Sequence, residues 1–180
     1  PSLVLSIDRA RSGRGLEQSG ECRRQSPRVV SMPGFCRERG CNRPAAYRAN
    51  AVEGLRLSIL DQSPIVSGGS SADALRATVA LAQRADQLGY YRYWLAEHHN
   101  MRGLADPCPE ILVGHVAAAT RTIRVGTGGV MLPYYSPLKV AEVFRMHEAL
   151  HPHRIDLGIG RAPGGDRMTA NAMNAHAFDD

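Results

Sequence analysis

The adjacent histidines His98 and His99 are the side chains best suited to handle a proton. They stand in Glu97-His98-His99-Asn100, directly after the apolar run Tyr93-Trp94-Leu95-Ala96. An imidazole titrates near neutrality, so it can serve as a general base or bind an anionic intermediate. Side chains alternate across a strand end, so His98 and His99 face different surroundings and one of them can face a site. An isolated pair of this kind reads as hydrogen-bonded packing, and it is the company of other clusters that argues for chemistry. One is Gly126-Thr127-Gly128-Gly129, after Ile123-Arg124-Val125, where three of four positions lack a Cβ and backbone can approach a ligand closely. Its spacing matches neither the P-loop nor the dinucleotide pattern, so a flat ring fits this backbone better than a phosphate, a plain tight turn being the alternative. Another is Arg161, between Gly160 and Ala162-Pro163-Gly164. A guanidinium there suits a bidentate grip on a phosphate, or a salt bridge with Glu142 or Asp166.

His147-Glu148-Ala149-Leu150-His151 matches the H-E-x-x-H pattern of zinc proteases, which needs both histidines on one helical face. Pro152 disfavours helical geometry at His151, and no third ligand is well placed, so no metal is expected.

These clusters share a position: each follows a short apolar, strand-like run. A fourth corner, Asp61-Gln62-Ser63-Pro64, follows Leu55 to Leu60, and the Arg161 cluster follows Ile155 to Ile159. Carboxyl ends of strands are where α/β barrels and open parallel sheets build their sites. Helical patterns lie between the runs. Ser70 or Ser71 can cap a helix with Leu75, Val79, Ala82, Ala85 and Leu88 on one face and Gly89 as its stop. Pro109 suits the first turn of a second helix through Ile111, Leu112, Val116 and Ala119. Ser136 and Pro137 start a third, through Val140, Val143, Phe144 and Leu150, which Pro152 ends. Strand starts near 55, 93, 123 and 154 give units of about 30 to 40 residues, the size of a βα unit. An eight-stranded barrel needs about 250 residues. After Gly165 only a short helix-like run, Met168 to Met173, follows, so about the first four βα units of such a barrel are expected.

Residues 1–53 read differently. They hold ten Arg against five acids, whereas the rest of the chain balances twelve Lys and Arg against twelve Asp and Glu. The segment shows no apolar periodicity and cannot offset its ordering entropy by burial, so it is expected to be a disordered basic arm, with residues 54–180 as the folded domain. It lacks the interleaved aromatics of a nucleic-acid-binding arm, and Asp8, Glu17 and Glu21 sit badly in a transit sequence. Cys22, Cys36, Cys41 and Cys108 form no disulfide framework in a chain of 180 residues and suit reduced thiols in a cytoplasmic protein. No stretch approaches the roughly 18 to 20 apolar residues of a membrane span, so no membrane partner is expected.

Taken together, the motifs resemble the bacterial luciferase-like family of flavin-dependent monooxygenases. The match is ordered from about Leu55 to Met168: LSILDQSPI at 57–65, RYWLAEHHN at 92–100, IRVGTGGVMLP at 123–133, SPLKVAEVFR at 136–145 and RIDLGIGRAPGGD at 154–166. The resemblance implies a TIM barrel that binds reduced FMN and uses dioxygen to oxygenate a small organic substrate. By matching position, His98 is the family's catalytic histidine, supported by Glu97 and His99. Thr127, Gly128 and Gly129 are cofactor-binding, with a non-proline cis peptide at Gly128-Gly129 under the flavin ring. Arg161 is implied near the flavin phosphate, oriented by Glu142. Tyr134-Tyr135 stands where many relatives carry a histidine, and His153 replaces a glycine often found before Arg154. A separate flavin reductase and self-association are compatible with such an enzyme. Two other readings stay open: a deazaflavin-dependent hydride-transfer oxidoreductase, and a non-catalytic fragment whose basic arm binds polyanions.

Overall fold

The computed structural model describes residues 4–9 and 55–174. Its centre is a five-stranded sheet in the order β1 (Val4–Arg9), β2 (Leu55–Asp61), β3 (Arg92–Leu95), β4 (Arg124–Met131) and β5 (Ile155–Gly160). Strands β2 to β5 are parallel throughout, and the helices α1 (Ser71–Leu88), α2 (Pro109–Ala119) and α3 (Pro137–Leu150) make the crossovers between them. This is the alternating βα pattern expected from the strand starts. A short α4 (Arg167–Asn174) follows β5.

Strand β1 departs from expectation. Six residues of the segment read as lacking regular structure pair antiparallel with β2, from Val4 opposite Leu60 to Arg9 opposite Leu55. The run Val4-Leu5-Ser6-Ile7 has a strand-like pattern too short to stand out from its arginine-rich surroundings, and an edge of β2 supplies the unpaired backbone groups a short strand needs. Residues 10–53 of the expected arm lie outside the described residues.

The helices begin and end where their capping residues dictate. Ser70 caps α1 in a reciprocal box with Asp73, whose carboxyl is held down at about 2 by hydrogen bonds from Ser70 and Arg76. Gly89 closes the helix at φ 79°, a left-handed conformation that suits glycine. Pro109 and Pro137 occupy the first turns of α2 and α3, and α3 stops at Leu150. Ser136 precedes α3 without a side-chain capping bond, so Pro137 alone marks that start.

The face that α1 buries is turned by about one residue from the expected one. Ala74, Thr78, Ala82 and Ala85 are buried, Leu75 and Val79 flank them, and Leu88 is exposed. Small residues are needed because Tyr93 reaches from β3 to the helix, its hydroxyl 3.3 Å from the Thr78 carbonyl. Helix α2 lies close to α3 for a similar reason: a Cβ on Gly114 would stand 2.7 Å from the His147 ring. The main core joins Ile59, Tyr93, Leu95, Val113, Val116 and Val125 with the alanines of α1.

Two charged side chains fasten the strand entries. Asp86 accepts the backbone N–H groups of Arg121, Thr122 and Ile123 ahead of β4. Arg154 donates to the carbonyls of Ala117, Thr120 and Ile123 and to the Thr120 hydroxyl, covering the carbonyl end of α2. Farther along the sheet, Asp156 bridges Arg92 and Arg124, both at 2.7 Å. Burial opposes its charge, but hydrogen bonds from both guanidinium groups outweigh that and hold the carboxyl below its usual range.

Candidate functional site

The parallel register brings the ends of β2, β3, β4 and β5 to one rim: Asp61 lies opposite Leu95, Leu95 opposite Thr127, and Met131 opposite Gly160. The four corners singled out by sequence therefore meet at one end of the sheet. Their side chains divide into those that hold the rim together and those left open to other contacts.

Asp61 belongs to the first group. Its Oδ1 accepts the Ser63 N–H at 2.8 Å and its Oδ2 the Tyr93 hydroxyl at 2.6 Å, so it fixes the turn after β2. Burial and the neighbouring carboxylate raise the Tyr93 pKa, keeping the phenol protonated and donating.

Glu97 is the hub of the rim. Its side chain is buried, and it accepts from His99 Nε2 at 2.7 Å, from the Tyr135 hydroxyl at 2.7 Å and from the Met131 N–H at 2.8 Å. One carboxylate thus ties the end of β3 to the end of β4 and to the turn that follows. Tyr135 is pushed well above the usual phenol range by burial, and then by its bond to Glu97. His99 is buried as well. Its N–H donates to the Gly164 carbonyl at 2.8 Å, and its ring meets Tyr134 edge-on at 5.7 Å. The Tyr134 hydroxyl reaches the Pro163 carbonyl at 2.8 Å, so the loop after β5 is attached twice to this corner. The contribution of Tyr134 and Tyr135 was not legible in advance, because a pair of aromatics in a turn carries no periodic signal.

His98 differs from both neighbours. It is half-buried, its backbone N–H donates to the Asp106 carbonyl at 3.1 Å, and its ring Nδ1 is buried with no hydrogen-bond partner. Burial, and then His99, lower its pKa against the opposing pull of Glu97, so the ring is neutral at neutral pH. A neutral imidazole can accept a proton, and this nitrogen meets no hydrogen-bond partner among the described residues.

The glycine corner is equally divided. The Gly128-Gly129 peptide is cis. Gly128 is exposed, and a Cβ there would press on Leu60 and Trp94 at 3.0 and 3.2 Å. Gly129 is buried, and a Cβ would meet the Gly158 backbone at 2.8 Å. Gly129 therefore allows β4 and β5 to approach, while Gly128 offers bare backbone at the surface. Thr127 is fully buried, and its hydroxyl donates to the Gly158 carbonyl at 2.9 Å, which places that side chain in the strand pairing rather than at the rim surface. Arg161 is exposed just beyond β5, and Glu142 on α3 pairs with Lys139 at 3.7 Å.

The zinc-like motif does not assemble. His147 Nε2 lies 2.7 Å from the Glu110 carbonyl and serves the α2–α3 contact, while His151 lies past the end of α3. Among the described residues no group of three or more His, Cys, Asp or Glu side chains could hold a metal ion. No helix among them is long and apolar enough to cross a membrane.

A parallel sheet with crossover helices and a polar and glycine-rich rim define an α/β scaffold, and the comparisons place it in a family. The family model for luciferase-like monooxygenases matches residues 55–180, and the chain belongs to that family. It is 54% identical over 121 residues to the N-acetyl-S-alkylcysteine monooxygenase of Bacillus subtilis, an alignment covering 67% of this chain and 36% of that protein. Among solved structures, apo-MsnO8 matches with a TM-score of 0.64 and 50% identity, over 69% of this chain and 37% of the other. The oxygenating constituent of 3,6-diketocamphane monooxygenase from Pseudomonas putida, solved in complex with FMN, matches with a TM-score of 0.58. At 22% identity, over 64% of this chain and 31% of the other, it shows a shared fold. The chain spans about a third of the length of these relatives.

Proposed function

We propose that this chain carries the histidine corner and the ring-binding backbone of an FMN-dependent monooxygenase that oxygenates a small organic substrate. The observation that carries the reading is the pairing of bare backbone at Gly128 with an unpartnered imidazole nitrogen at His98 on one rim. Such a rim suits a flat aromatic group that presents hydrogen-bonding atoms at its edge. Arg161, exposed beyond β5, would hold the phosphate of the cofactor. The relative solved with FMN supports flavin as the ring. The fold is read as part of a TIM barrel, in line with β2 to β5 and their crossovers.

When bound, reduced FMN supplies the electrons that activate dioxygen. The protein's own contribution is position and proton control. Gly128 lets the ring approach bare backbone, and Gly129 lets β5 lie close behind it. The neutral His98 ring accepts or returns a proton at Nδ1, in a setting where burial disfavours its charged form. Glu97, His99 and Tyr135 keep the corner in place, so that His98 keeps its position as its protonation changes. A separate reductase as the source of reduced FMN belongs to the same proposal.

Titration of the chain with reduced FMN under anaerobic conditions, followed by flavin fluorescence, tests the reading. Saturable binding is expected, with His98→Ala retaining it and, once dioxygen is admitted, losing oxygenation. Absence of saturation at millimolar flavin, or binding of a deazaflavin in preference to FMN, overturns it.

A further inference from the structure

Beside the rim, helices α1 and α2 flank an open pocket of about 630 Å³ whose walls are mainly apolar, formed by Leu75, Val79, Ile111 and Leu112. Asp106 and Cys108, from the loop between β3 and α2, line it together with Arg76 and His115. Asp106 is only 3% exposed, and its Oδ2 has no hydrogen-bond partner, while its Oδ1 accepts the Cys108 N–H at 3.2 Å. Leaving a carboxyl oxygen unpaired in an apolar setting is costly unless something meets it.

The surroundings indicate which charge would be welcome. Glu110, Asp61 and Glu97 all act on Asp106 electrostatically and make its environment negative. On the opposite side, Arg76 is already paired with Asp73 at 2.6 Å, His115 lies on the cavity wall, and His98 reaches Asp106 only through a backbone bond. Apolar walls around one buried acid in a negative field complement a cation on a hydrocarbon stem.

We infer that the cavity between α1 and α2 is a binding site for a small alkyl or aryl ammonium ion, its head paired with the Asp106 carboxylate and its stem against Leu75, Val79 and Leu112. This goes beyond the flavin reading and does not rest on it, since the site lies on the helix side of the β3–α2 loop. The same loop connects the two, because the Asp106 carbonyl accepts the His98 N–H.

Hexylamine, hexanol and hexanoate, added to the full chain, serve as probes. The readout is the rate at which iodoacetamide alkylates Cys108, followed by mass spectrometry on the peptide that contains it. Rates with and without probe are compared at each pH. Hexylamine is expected to slow alkylation at least about fivefold at saturation, with hexanol and hexanoate ineffective at the same concentration. The Asp106 carboxyl is pushed up to about 7, chiefly by burial, with Glu110, Asp61 and Glu97 adding to the rise. Its protonation should therefore make hexylamine binding about thirtyfold weaker at pH 5.5 than at pH 8. Asp106→Asn should remove that pH dependence. Ala80→Trp, at an exposed position on the cavity wall, should block protection without touching the acid. Equal protection by hexanol, stronger protection by hexanoate, or unchanged protection in Ala80→Trp would overturn the inference.

Discussion

Replacing Asp106 with Asn should flatten the pH dependence of stability between pH 5 and pH 8. The wild-type carboxyl titrates at about 7 in the folded protein, because burial disfavours its charge and Glu110, Asp61 and Glu97 repel it. In the unfolded chain it titrates near 3.9. Between those values the folded state binds the extra proton. Its contribution to stability is fully present below about pH 4 and is lost as the pH rises through 7. Integrated from pH 5 to pH 8, the loss is about 2 to 3 kcal/mol. Asn cannot ionise, so this loss disappears. It has a cost of its own, since the new amide N–H groups lack an acceptor where Oδ2 has no partner, about 1 to 3 kcal/mol. That cost is the same at both pH values and cancels in the comparison. Urea unfolding followed by fluorescence of Trp94, the only tryptophan, gives the four stabilities required. His98, His151 and Glu110 titrate in both proteins, so the double difference isolates position 106. Parallel wild-type and Asp106→Asn profiles would refute the placement of a buried, unpaired carboxyl at this position.

His153 sits at φ 64° with its side chain exposed, so His153→Gly should raise stability by about 1 kcal/mol, read as a higher urea midpoint; a lower midpoint would mean the ring makes contacts that matter. Gly129→Ala should cost more than about 2 kcal/mol, because the new Cβ meets the Gly158 backbone, and the loss should appear in both far-UV circular dichroism melts and urea titrations. Tyr135→Phe removes one donor from the Glu97 carboxylate and should cost about 1 to 3 kcal/mol, with hydrogen exchange accelerating at Met131 and His99; a neutral result would show that water replaces the phenol.

The parallel sheet was readable because each of β2 to β5 ends in a polar or glycine-rich corner and each crossover helix starts at a Ser or Pro suited to its first turn. Periodicity placed the helices and put Ala82 and Ala85 on the buried side of α1, but it missed Ala74 and Thr78. An apolar stripe through Leu75 and Val79 was a sound guess from hydrophobicity, yet those two only flank the core, because Tyr93 reaches across to Thr78 and that contact spans elements far apart in sequence. The rim was legible as a set of residues and not as a set of roles. Glu97 and Thr127 have the residue types of a ligand site, but their partners, Tyr135 and Gly158, lie more than thirty residues away, and no local pattern announces them. Asp106 gave no signal at all, because an acid in a loop reads as solvated until the fold covers it.

The division of labour at the rim follows from what burial does to charge. A carboxylate removed from water is tolerable when several donors meet it, and Glu97 has three, each from a different stretch of chain. Meeting those donors fixes the corner, and burial keeps the Glu97 carboxylate out of a ligand's reach. The same holds for Asp61, whose two oxygens are occupied by Ser63 and Tyr93, and for His99, held between Glu97 and Gly164. The proposed chemistry rests instead on the Nδ1 of His98, which has no hydrogen-bond partner among the described residues, and on the exposed backbone of Gly128. In the triplet Glu97-His98-His99 the outer residues form a hydrogen-bonded frame, and the middle one is the residue we propose as reactive. The frame explains why a half-buried, neutral imidazole can keep its orientation while lacking a partner of its own.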